Sequence, residues 1–112
     1  MNVATSATSG ENPQSKSTRE LNYSCSYDEL PERLAAYVTL FALSLRRTDT
    51  EDGEQMVFYL GTPPIAIIKT ESGRELFRSI PDHSYHFNIT EERCILTDTT
   101  SGESLKMVLN DL

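Results

Sequence analysis

The chain has 112 residues, a formal net charge of −7 and an apolar fraction of 38%. That length allows one domain at most, with a small core. The acidity counts against binding nucleic acid through its phosphates, which needs clustered Lys and Arg, and against anionic membrane surfaces. No apolar run of about 18 residues is present, nor a basic segment leading into an apolar one near the N-terminus. Neither a transmembrane span nor a secretory signal is therefore expected, and the setting expected is intracellular.

Residues 1–20 are rich in Ser and Thr, and Val3 is their only large apolar group after Met1. A segment of that kind cannot offset its ordering entropy by burial, so a disordered tail is expected there, followed by one domain over 21–112. Lys16 and Arg19 balance Glu11 and Glu20, which leaves the excess negative charge on the domain.

The stretch Ser26–Arg47 carries the strongest periodicity. Leu30, Leu34, Tyr37, Val38, Phe41 and Leu45 recur at three- and four-residue steps and predict one helix face. Ser26 and Glu29 have capping-box spacing, Pro31 suits a first turn, and Arg46 and Arg47 would complement the negative end of the dipole. Ala36, Leu40 and Leu43 fall on the opposite face, a surplus of apolar surface that asks for a second cover. The alternative ends the helix near Ala36 and makes Tyr37–Arg47 a strand closing a hairpin onto Met56–Leu60.

The acidic stretch Thr48–Gln55 reads as a solvated turn, since Asp49, Glu51, Asp52 and Glu54 lack calcium-loop spacing. Beyond it the period shortens to two. Met56–Gly61, Ile65–Thr70, Arg74–Ile80, Tyr85–Thr90, Cys94–Thr99 and Ser104–Asn110 predict short strands separated by turn residues. The expected fold is α+β: one N-terminal helix packed on a five- to six-stranded antiparallel meander, with curling into a small open barrel as the variant.

Catalytic signals are weak. Cys25 and Cys94 form no paired motif and read as reduced thiols. His83 and His86 beside Asp82 could ligate a metal only if the turn folded them together, because residues three apart on a strand face opposite sides. There is neither a nucleophile-elbow pattern nor a phosphate-cradling Gly-rich loop. No cofactor is called for, and the chain is not expected to be an enzyme.

The leading expectation is a non-enzymatic protein–protein interaction module, an adaptor or complex subunit, whose contact surface includes Ala36, Leu40 and Leu43. Its partner would be another protein or a second copy. A second expectation is an inhibitor or mimic whose acidic residues Asp49, Glu51, Asp52 and Glu54 occupy a basic site. A third, disfavoured by charge, is a small nucleic-acid-binding barrel stacking bases on Phe58, Tyr59, Tyr85 and Phe87.

Overall fold

The computed structural model describes residues 19–61 and 65–112. Most of the predicted tail and residues 62–64 lie outside them. The described chain is α+β, with one helix and eight antiparallel strands in two sheets, and neither sheet closes into a barrel.

In chain order the elements are β1 (Leu21–Ser26), α1 (Leu30–Leu43), β2 (Arg46–Asp49), β3 (Met56–Gly61), β4 (Ile65–Thr70), β5 (Glu75–Arg78), β6 (Ser84–Ile89), β7 (Arg93–Asp98) and β8 (Ser104–Asp111). The six strands expected from alternation are present. Two more, β1 and β2, lie at the edges of the larger sheet, whose order is β1–β6–β7–β8–β2, while β3–β4–β5 form the smaller one. A single meander is therefore replaced by two, and the N-terminal half supplies both edges of the second. The sheets meet where Asp49 bridges to Gln55.

The helix is shorter than its periodicity implied. The expected capping box is not the helix start: Ser26 ends β1, and the N-cap residue is Glu29, which makes no side-chain cap bond to the helix. The Glu29 carboxylate instead accepts the Ser26 backbone N–H (3.1 Å) and the Ser26 hydroxyl (3.3 Å), which closes the turn between β1 and α1. Pro31 occupies the first turn. At the far end Ser44 donates its N–H and its hydroxyl to Leu40 and Phe41 carbonyls, and Leu45 turns to φ 59°. That left-handed residue ends the helix, so Arg46 and Arg47 belong to β2 rather than to the helix terminus. The alternative with a strand over Tyr37–Arg47 is equally displaced: the chain is helical to Leu43, and β2 pairs with β8 instead of closing on β3.

The core lies between the inner face of the large sheet and two covers, the helix and the small sheet. Tyr85, Phe87, Cys94, Leu96 and Met107 from the large sheet pack with Leu30 and Leu34 of α1 and with Met56, Ala66 and Ile68. Alternation along β6 and β7 is strict, every second residue being buried. Ile65–Ile68, whose apolar run could also mark a free edge, is the middle strand of the small sheet, with Ala66 and Ile68 fully enclosed.

Candidate interaction surface

The last turns of α1 project beyond the core. Leu30 and Leu34 are buried and Tyr37, Val38 and Phe41 are partly covered, but Ala36, Leu40 and Leu43 face outward. Leu40 is 58% exposed and Leu43 77%, and the residues that follow extend the patch: Leu45 is 69% exposed and Leu112 74%. Leu112 donates its backbone N–H to the Leu45 carbonyl (3.0 Å), which brings residue 112 to the end of α1. Four large exposed leucines thus lie near one helix end, and exposed apolar side chains gathered in this way mark contact sites. Leu45 was expected on the buried face; leaving the helix at a left-handed residue turns it out. Leu112 could not be placed from the sequence, because only the β2–β8 pairing brings it there.

The four acidic residues do not form one surface. Asp49 is 1% exposed, and its Oδ2 accepts from Arg47 Nε (3.1 Å) and Asn110 Nδ2 (2.9 Å), so it is part of the β2–β8 packing. Glu51 pairs with Lys106 at 3.2 Å. Glu54 accepts the Ser72 hydroxyl (2.7 Å) and faces Arg74, tying two turns together. The hydroxyl bonds from Ser72, then Thr70, are the main cause of its lowered pKa. Glu51 and Asp52 are exposed, and of the four only Asp49 is withdrawn from the surface by burial. Thr48, at the start of the acidic stretch, is buried in β2. A charge there has no solvent to meet: Thr48→Glu should lower the unfolding free energy by about 3 kcal/mol or more, read from denaturant melts.

The aromatics are divided in the same way. Tyr85 and Phe87 are fully buried and cannot stack on bases, whereas Tyr59 is 51% exposed with Lys69 over its ring. Tyr37 bridges Phe87 (4.9 Å between centroids), Tyr23 (6.1 Å) and Phe41 (6.5 Å), holding the helix against β1 and β6.

The two histidines have separate partners. His83 Nδ1 lies 2.7 Å from Asp98 Oδ2. His86 lies on the outer face of the large sheet, between Ser24 Oγ (3.1 Å from Nδ1) and Asn22 Oδ1 (3.0 Å from Nε2). Serine, imidazole and amide in that order resemble a nucleophile, base and orienter. These three lie on the outer face of the sheet, however, with Ser24 and Asn22 exposed and His86 half-buried, and no cleft desolvates a reacting group there. Among the described residues no three His, Cys, Asp or Glu side chains are placed to share a metal ion. Burial raises the Cys25 thiol and pushes Cys94 up to about 12; both are buried core groups, and neither is bonded to the other.

The chain matches no family model, no curated protein and no solved structure.

The apolar hollow between α1 and β3, lined by Val38, Phe41, Met56 and Phe58, holds about 220 Å³, and the cleft beside Arg78 and Asp98 about 270 Å³. Both fall below the range of roughly 300–1,000 Å³ typical of ligand pockets. None of the described helices is long and apolar enough to cross a membrane.

Proposed function

We propose that the chain is a non-enzymatic protein–protein interaction module, working as an adaptor or as a subunit of a larger complex. The observation that supports this is the exposed apolar end of α1, where Leu40, Leu43, Leu45 and Leu112 lie together without cover among the described residues. Leaving such a patch in water forgoes the burial energy of several leucine side chains, about 1.5–3 kcal/mol each when fully covered. A partner protein with a matching apolar surface would recover it. The acidic balance of the chain favours a partner whose surrounding rim is basic.

Leu43→Glu tests the reading. At 77% exposure the side chain contributes little to the fold, so stability should change by no more than about 0.5 kcal/mol. Binding should be lost: proteins retained by the immobilised full chain from its native source should be absent with the variant. A variant that unfolds would show Leu43 to be core, and one that retains every captured protein would place the contact elsewhere.

A further inference from the structure

Edge strands in natural sheets are shielded by charge, proline, shortness or a cover. β2 and β5 follow that rule, at four residues each, with Arg46 and Arg47 on one and Glu75 and Arg78 on the other. β3 is tied at its start by the Asp49–Gln55 bridge and lies against α1. Among the described residues β1 has none of these protections. Its sequence, LNYSCS, carries no charge and no proline, and among the described residues it pairs with β6 alone. On its core-facing side Leu21 is 52% exposed and Tyr23 44%. Tyr23 packs against Tyr37 of α1, and helical spacing places Arg33 and Leu40 on the same flank as Tyr37. The open edge is therefore a ledge, with strand backbone below and a partly apolar helix flank above.

We propose that β1 pairs antiparallel with β1 of a second copy of this chain, about a twofold axis through Tyr23. Opposed residues must share a face of the sheet, so the axis passes through a residue rather than between two. Centring on Tyr23 sets Leu21 opposite the other copy's Cys25 and Asn22 opposite its Ser24, apolar on the helix side and polar outside. The same register places Glu20 opposite the other copy's Ser26 and Arg19 opposite its Tyr27, twice by symmetry. Glu20 is engaged by Arg93 of its own chain (3.7 Å), which leaves Arg19 to face the acidic turn before the other copy's α1. Parallel pairing would instead bring like ends together, so the charges select the antiparallel, isologous arrangement. The contact is small. Six residues extend about 20 Å, and with one helix layer above them the face falls below the roughly 800 Å² per partner of a standard interface. The dimer is accordingly reversible. This inference rests on the interaction-module reading but uses the strand edge rather than the leucine end of α1.

The test is the solution mass of the full chain by light scattering over a dilution series at physiological salt. A concentration-dependent dimer is expected. Tyr23→Lys, which sets two ammonium groups against each other on the axis, should weaken it about tenfold or more, while Tyr23→Phe keeps it. A monomer at every concentration overturns the pairing, as does a dimer that Tyr23→Lys leaves intact. If that variant fails to fold, amide hydrogen exchange of the unaltered chain decides. Protection of residues 21–26 that rises with concentration supports the pairing, and protection that does not change overturns it. A dimer lost with Leu43→Glu but kept with Tyr23→Lys removes strand pairing and leaves the interaction module standing.

Discussion

Tyr85→Ala should lower the unfolding free energy by about 3–5 kcal/mol, the largest loss of any single truncation proposed for this chain. The ring is fully buried and meets Phe77 of the small sheet edge-on at 5.7 Å. Its hydroxyl accepts the Ile80 N–H at 2.7 Å and lies 3.4 Å from the Ile80 carbonyl, which it faces as a donor. One side chain thus fills the core and satisfies the backbone of the segment joining the two sheets. Tyr85→Phe separates these roles: it keeps the packing and strands the Ile80 N–H, while the Ile80 carbonyl still accepts the His83 N–H (3.1 Å), at about 1–3 kcal/mol. Urea midpoints of the two variants measure both quantities. Equal midpoints for Tyr85→Phe and the unaltered chain would mean that water takes over the Ile80 N–H at no cost.

The second large effect belongs to Asp98. Its side chain is nearly enclosed, yet one oxygen accepts the backbone N–H groups of Thr100 and Ser101 (2.9 Å each) and the other faces His83. Burial by itself would raise this carboxyl, but the bonds from His83, Ser101 and Thr100 outweigh it and hold the pKa below its ordinary value. With the folded value below the unfolded one, near 4, the contribution to stability is complete above about pH 4. It fades as the pH falls through the lower folded value. Asp98→Asn should cost about 2–4 kcal/mol at neutral pH, since an amide nitrogen replaces one acceptor and the charge-assisted bonds weaken. The variant should also lose part of the acid-side slope in a plot of melting temperature against pH. A slope identical to that of the unaltered chain would assign the acid sensitivity to other carboxylates.

The elements that periodicity marks are those whose side chains alternate cleanly between core and solvent. β6 and β7 do so without interruption, and their hairpin is legible from Tyr85 to Asp98. β1 and β2 are not, for physical reasons. Only Cys25 of β1 is buried, so no apolar alternation exists to detect, and β2 is a short edge rich in charge whose burial falls on Thr48 and Asp49. Their place is set by partners far along the chain, β6 and β8, which a local pattern does not contain.

The surface residues divide on the same principle. Ala36, Leu40 and Leu43 are outward because helical geometry alone decides it, once the buried face is fixed by Leu30 and Leu34. Asp49 looked like its acidic neighbours but is enclosed by Arg47 and Asn110, a tertiary arrangement that composition cannot reveal. The end of α1 lacks the usual glycine, and Leu45 takes the left-handed conformation instead, so the stop signal was invisible.

Because Leu21 pairs with Ile89 and Arg46 with Asp111, the outer strands of the large sheet close loops spanning most of the domain. The β6–β7–β8 meander can assemble from neighbours, but its two flanks must wait for the N-terminal half to find it. Such non-local closure gives slow folding, in milliseconds to seconds rather than microseconds. During translation β1 and α1 leave the ribosome long before β6 exists to receive them. For that interval their apolar side chains depend on chaperones, or on remaining apart, to avoid one another.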